Sequence, residues 1–398
     1  MKKVLKHSLI ALTSASIAAL ASCGGDNDGP TPGPAETSRR AVLVYQVANN
    51  NLGSSQYDIM DIREMLTAAR SGDIPSDCRL LVYNDGPVGR GTVSDPVLME
   101  ITAQGADTLL TYERSDLSVT TARMNRVFDD FERIAPADDR GLVLWSHGTG
   151  WLQDGIADTP DRRRSFGYEP GGKMMNITTL ASVLRERDFG FVYFDCCYMA
   201  SVETLYELRD CTPRFVASVT ELPVEGMPYD KNVREFFADG EPDLVQAAAN
   251  TFQSYNALSG QSRTCTMSVI DAAAIDEVAR AVRAIYAKAP SSFPDGCNPQ
   301  RYTVTSAASC YYFDLRDYLT SLCAGIDGGD LLMADFDAAM TRCILYTAAT
   351  PMLWNSMPLT ACSGLSTYIL RNAESITRKN YNTLSWYTDV ASALIITQ

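Results

Sequence analysis

Of the 398 residues only two are histidine, His7 and His147. His7 lies in an N-terminal segment with the features of a signal peptide, so His147 is the sole histidine expected in the processed chain. It follows the apolar run Gly141-Leu142-Val143-Leu144-Trp145, within Ser146-His147-Gly148-Thr149-Gly150-Trp151. Glycines let the backbone turn sharply and bare its N–H groups. A histidine at such a strand end has the parts for a general base beside oxyanion donors. A second apolar run, Phe191-Val192-Tyr193-Phe194, leads into Asp195-Cys196-Cys197-Tyr198-Met199 just ahead of a helical segment. A thiol at a helix N-terminus has its thiolate favoured by the helix dipole. Taken singly, each feature is more often structural, a strand-end histidine or a small buried thiol. Together they end consecutive predicted strands, 197 − 147 = 50 residues apart, and can face one crevice. That pairing suits a cysteine nucleophile with an imidazole base.

Such groups need a scaffold, and the chain alternates strands with helices. Buried-strand patterns fall at 41–48, 79–83, 141–145, 191–194, 215–218 and 266–270, with a shorter candidate at 97–102. Helical periods fall at 56–70, 120–134, 178–187, 201–209, 231–237, 243–258 and 274–288. The first of these carries Ile59, Ile62, Met65 and Leu66 on one face, and the second Met124, Val127, Phe128 and Phe131. This alternation predicts an α/β fold, a three-layer sandwich whose mostly parallel central sheet is flanked by helices. In such sheets functional groups gather at the carboxyl ends of the strands. Asn84-Asp85-Gly86-Pro87 reads as a turn, and residues 291–300 as a loop. The expected organisation is a catalytic domain over 41–260 and a C-terminal α/β subdomain over 261–398 packed on it.

The net charge of −14 argues against nucleic acid, whose phosphates require clustered Lys and Arg. It also disfavours a basic membrane patch. One expected histidine and no clustered ligands argue against a zinc hydrolase. Lys2, Lys3 and Lys6 precede a short apolar stretch, Ser8 to Ala21, and then Leu20-Ala21-Ser22-Cys23. This is the pattern of a bacterial lipoprotein signal: residues 1–22 are removed and Cys23 becomes the lipidated first residue. Residues 23–40, rich in Gly, Pro and Asp, form a flexible tether. The expected location is the bacterial cell envelope, anchored to the outer membrane or the cell surface. Apart from Cys23, ten cysteines are scattered without a C-x-x-C, and their pairing cannot be read from spacing.

At His147 and Cys197 the sequence resembles the clostripain family of cysteine peptidases, which share a caspase-like fold. The resemblance rests on Trp145-Ser146-His147-Gly148-Thr149-Gly150-Trp151 and on Asp195-Cys196-Cys197-Tyr198-Met199, followed by Ala200-Ser201-Val202-Glu203. Weaker matches are Asn49-Asn50-Asn51-Leu52, the segment Glu221 to Tyr229, Asp314-Leu315-Arg316-Asp317-Tyr318 and Ser363 to Tyr368, so that it spans about 41 to 371. It implies a cysteine endopeptidase acting on peptides and proteins, with Cys197 as nucleophile, His147 as catalytic histidine and no evident third member. Cys196 takes the variable position between Asp and Cys, and adjacent strand side chains point to opposite faces. Gly148 and the Cys197 amide would donate to the oxyanion. Asp195 would lie at the base of a pocket for Arg or Lys, although Val224 stands where relatives tend to have glycine. Relatives are activated by cutting a loop between the histidine and the cysteine, which makes Arg162, Arg163, Arg164 and Lys173 candidate autocleavage sites. No cofactor is required, and calcium, which some relatives need, has candidate ligands in Asp154, Asp158 and Asp161. Two alternatives stand beside this reading. One is a serine hydrolase using His147, although no G-x-S-x-G elbow is present; the other is a non-catalytic surface-binding lipoprotein on the same scaffold.

Overall fold

In the computed structural model the described residues are 37–88, 95–152, 165–291, 294–304, 310–370 and 376–394. The signal segment, Cys23 and its tether up to residue 36, the acids Asp154, Asp158 and Asp161, and Arg162, Arg163 and Arg164 lie outside them. The strands are β1 (Ser38–Val47), β2 (Cys78–Asp85), β3 (Val97–Ile101), β4 (Ala106–Thr111), β5 (Ala137–Trp145), β6 (Phe166–Glu169), β7 (Lys173–Met175) and β8 (Phe191–Asp195). They continue with β9 (Arg214–Ala217), β10 (Thr266–Asp271), β11 (Phe313–Asp314), β12 (Ile344–Ala349), β13 (Met352–Leu353), β14 (Met357–Pro358) and β15 (Ser366–Thr367).

One sheet runs β12-β10-β9-β8-β5-β1-β2-β3-β4. Its middle, β9-β8-β5-β1-β2, is parallel, and antiparallel strands extend both edges. Alternate residues of β1 feed two cores. Leu43, Tyr45 and Val47 pack with Phe128 and Phe131 of the helix Thr121–Ile134 and with Leu180 and Leu184 of Ile177–Leu184. Val42 and Val44 pack on the other face with Ile62 and Met65 of Tyr57–Arg70 and Val233 and Phe236 of Tyr229–Phe236. The result is the expected three-layer sandwich.

From β1 the chain passes to β2 on one side and then returns to β5 on the other. Strand order therefore reverses between β1 and β5, and a crevice opens at their carboxyl ends. The register places the ends together: Gln46 lies beside Trp145, and Trp145 beside Asp195.

Several elements differ from the sequence reading. β2 continues through Asn84 and Asp85, which pair with Gln46 and Val47 of β1 rather than turning. The nearly buried Asp85 carboxylate is satisfied there by Ser118 Oγ and Arg114 Nη1, each at 2.7 Å. β4 and β12 are partly exposed strands at the sheet edges; β4 carries no apolar run to announce it, whereas β12 does, at Ile344-Leu345-Tyr346, a run that the sequence reading leaves out of its strands. β10 and β12 both come from beyond residue 261 and complete one side of the sheet.

Candidate active site

His147 stands two residues past the end of β5, on a loop fixed from several sides. Ser146 Oγ donates to Val47 O at 2.8 Å, which ties the loop to the end of β1. Asn50 reinforces the tie, with Nδ2 donating to Val47 O at 2.8 Å and to Tyr168 O at 2.9 Å. Its Oδ1 caps the short helix Asn51–Ser54 by accepting from Leu52 N at 2.9 Å. That turn delivers Asn51, whose Oδ1 lies 2.8 Å from His147 Nε2. A carboxamide oxygen can only accept, so Nε2 carries the proton and Nδ1 is the basic nitrogen. The Tyr168 ring meets the imidazole edge-on, with centroids 5.8 Å apart. Asn51 is thus a third group on His147, where the sequence reading found none. Its signal was present in Asn49-Asn50-Asn51, but only folding shows which asparagine reaches the ring.

Cys197 lies in the turn after β8, half-buried, with Leu222 N donating to its sulfur at 3.4 Å. Cys196 points away, its thiol donating to Leu144 O at 3.0 Å inside the sheet. The two thiols point apart, although Cys196 also lines the cavity beside Cys197 and His147, so the opposite-face expectation holds for the thiol directions alone. The expected placement at a helix N-terminus does not. The turn continues through Ala200, Ser201 caps the next helix, and that helix (Val202–Leu208) starts five residues after Cys197. In place of dipole support, burial pushes the Cys197 thiol up to about 12, so the resting group is a neutral thiol. Tyr198 adopts a left-handed backbone at φ 62°, a conformation that tyrosine rarely takes. Its ring stacks on Tyr312 at 4.3 Å, and the Tyr312 hydroxyl donates to Thr149 O at 2.5 Å. This stack couples the cysteine turn to the histidine loop.

Gly148 sits between the two. A Cβ there would fall 2.7 Å from Cys197 O and 2.8 Å from Cys196 Cβ, so the loops approach to a distance only glycine permits. Gly148 bridges Phe166, but the bridge bonds belong to its neighbours: Thr149 N donates to Ser165 O and Gly167 N to His147 O. The Gly148 N–H is not consumed by that bridge.

His147, Cys197 and Asp195 line one narrow cavity of about 50 Å3, together with Leu52, Trp145 and Val224. Asp195 ends β8 and is 5% exposed. Its carboxylate accepts from Met227 N at 3.1 Å and from the Tyr229 hydroxyl at 3.3 Å. Burial raises it to about 7 despite those donors, and Glu64 adds to the rise. Asp61, also buried, is raised by burial and by Asp195, and one of its oxygens has no partner. Gly226 closes over Asp195, since a Cβ there would stand 2.7 Å from Oδ2. Val224 is 45% exposed at the lip. Lys173 is exposed at the start of β7, away from these groups in sequence and not among the cavity residues.

A thiol, an imidazole and backbone amides at adjoining strand ends, beside a buried carboxylate, form the apparatus for acyl transfer. The clostripain family model matches residues 44–392 of the chain. The fold is similar to that of an inactive zymogen C11 protease from Parabacteroides distasonis. Identity is 27%, coverage 89% of this chain and 99% of that one, and the TM-score 0.74. It is also similar to a secreted C11 cysteine protease from Bacteroides thetaiotaomicron, solved with an irreversible peptide inhibitor. There identity is 27%, coverage 88% and 99%, and the TM-score 0.74. No curated protein sequence matches. The chain belongs to the clostripain family and is a cysteine endopeptidase with a caspase-like fold.

Proposed function

We propose that Cys197 is the nucleophile and His147 its base, in an endopeptidase that cuts after Arg or Lys. The observation that carries this reading is the common cavity of His147, Cys197 and Asp195 at the strand-order reversal. In the first step Cys197 Sγ attacks the peptide carbonyl while its proton passes to His147 Nδ1. Asn51 holds the imidazole by its other nitrogen. The tetrahedral oxyanion takes the N–H groups of Gly148 and Cys197. Collapse breaks the C–N bond, and His147 gives its proton to the leaving amine, which leaves a thioester. Water, activated by the same imidazole, then releases the acid and restores the thiol. Asp195 pairs with the guanidinium or ammonium of the residue before the scissile bond by charge-assisted hydrogen bonds.

The chemistry uses side chains and amides alone and requires no cofactor. Attachment to the envelope is assigned to a lipid on Cys23; among the described residues no helix is long and apolar enough to cross a membrane. Activation is assigned to self-cleavage at Arg162, Arg163, Arg164 or Lys173, all of which lie between base and nucleophile in sequence. The test is hydrolysis of fluorogenic peptides ending in Arg or Lys by the parent and by Cys197→Ala, Cys196→Ala and His147→Ala. Activity should survive only in the parent and Cys196→Ala. A parent silent on these peptides but active on others would reject the basic specificity. Activity in Cys197→Ala would reject the nucleophile.

A further inference from the structure

A second and larger cavity, about 500 Å3, adjoins the catalytic one. Pro223, Val224 and Gly226 line both. This short strip therefore touches everything that matters: Leu222 beside it donates to the Cys197 sulfur, and Gly226 lies on Asp195. The larger cavity therefore lies beside the bond that Cys197 would attack. We propose that the larger cavity binds a second basic side chain of the same substrate, so that the enzyme selects peptides with clustered Arg or Lys. The inference rests on the proposed basic pocket at Asp195 and extends it.

The walls have the two kinds of group that a long cation needs. Glu64 and Glu225 supply carboxylates, and Tyr255, Leu258, Val224 and Trp354 supply apolar and aromatic surface. Val224 and Leu258 are large apolar residues left 45% and 47% exposed, an arrangement that a bound alkyl stem would cover. Trp354 is held for display. It opens the three-residue turn between β13 and β14 at φ 50°, an outlier for so bulky a residue. Its indole N–H donates to Glu221 Oε2 at 2.9 Å. An indole face with carboxylates nearby suits a guanidinium or ammonium. The cations bordering this region are already engaged: the Lys231 ammonium donates to Ser254 Oγ at 2.8 Å, and the Arg263 guanidinium donates to Asn256 Oδ1 at 2.8 and 3.0 Å. Successive residues of an extended peptide are about 3.3 Å apart, so a side chain within a few residues of the scissile bond reaches the second cavity. The chain itself contains such a sequence, Arg162-Arg163-Arg164.

The test is a positional scan on the full chain. Peptides keep Arg at the cleaved position and carry Ala, Lys, Arg or Glu at each of three positions before it and two after the scissile bond. At one position Arg or Lys should raise kcat/KM at least tenfold over Ala, and Glu should lower it. In Trp354→Ala and in the double variant Glu64→Gln/Glu225→Gln that Arg/Ala ratio should fall to within twofold of one. Glu64→Gln keeps an oxygen to accept from Tyr229 N, so the helix start is preserved. The ratio reports the second site even where overall activity changes. No position with a ratio above two, or a preference that persists in both variants, overturns the proposal. If peptides ending in Arg and Lys are not cut at all, the Asp195 reading fails instead, and the same scan is run on the residue that a library shows is accepted.

Discussion

Asp195→Asn removes a charge that burial makes costly to hold. Burial lifts the carboxyl from 3.8 to about 7 in the folded protein. Below 3.8 both folded and unfolded states are protonated, and the group contributes nothing to pH dependence. Between the two values the folded state holds a proton that the unfolded state has lost, so stability falls as pH rises. Above the folded value the full penalty is present. At roughly 1 to 1.5 kcal/mol per unit this is on the order of 4 kcal/mol at pH 8 and roughly 1–2 kcal/mol at pH 5. Asparagine cannot ionise, so its advantage over the parent should grow by roughly 2–3 kcal/mol between those conditions. Activity should move the other way. Losing hydrogen bonds to a charged partner is worth about 1.5–3 kcal/mol, or about 10- to 150-fold in kcat/KM for Arg peptides. In the parent, the same kcat/KM should rise through about pH 7 as Asp195 ionises. The assay pairs urea unfolding at pH 5 and pH 8, in a Cys197→Ala background, with kinetics in the active background. An Asn variant whose relative stability ignores pH, and which still cleaves Arg peptides at parental rates, would refute the reasoning.

Three other outcomes follow from the same geometry. Gly148→Ala must push a methyl against Cys197 O, so kcat should drop about 100-fold or more through a displaced oxyanion donor, with circular dichroism unchanged. Asn51→Ala should lower kcat about tenfold or more by freeing the imidazole to rotate, with Asn51→Gln recovering part of it in steady-state kinetics. Glu203 is raised by burial to about 7 while it accepts from Thr367 Oγ1 and Tyr368 N, each at 2.8 Å. By the sign worked out for Asp195, Glu203→Gln should stabilise the chain by ~2 kcal/mol at pH 8 and by much less at pH 5, read from urea midpoints.

The sequence made His147 and Cys197 legible because one was the sole remaining histidine and both closed apolar runs. Those runs were readable because strands of a sheet covered on both faces are apolar throughout, as in Ala41 to Tyr45. The same rule hid β4, which lies at a sheet edge and is only half covered, whereas β12 was missed although Ile344-Leu345-Tyr346 is an apolar run. Asn51 was quoted in a motif but had no role until the turn after β1 brought it to His147, 96 positions away. Asp61 was given no role in the sequence, yet it is buried, and the nearby Asp195 charge helps to raise its carboxyl. Trp354 gave no signal, since its place depends on a hairpin of two-residue strands. The helix-dipole argument for Cys197 failed for a local reason: the turn from Cys196 to Ala200 intervenes, and spacing alone does not disclose turn length.

The central claim is that Cys197, and not its neighbour, reacts with help from His147. Labelling with an arginyl chloromethyl ketone, followed by peptide mass mapping, tests it most directly. One adduct is expected, on Cys197, formed at the parental rate in Cys196→Ala and lost in His147→Ala. An adduct on Cys196, or labelling of Cys197 that is indifferent to His147, would contradict it.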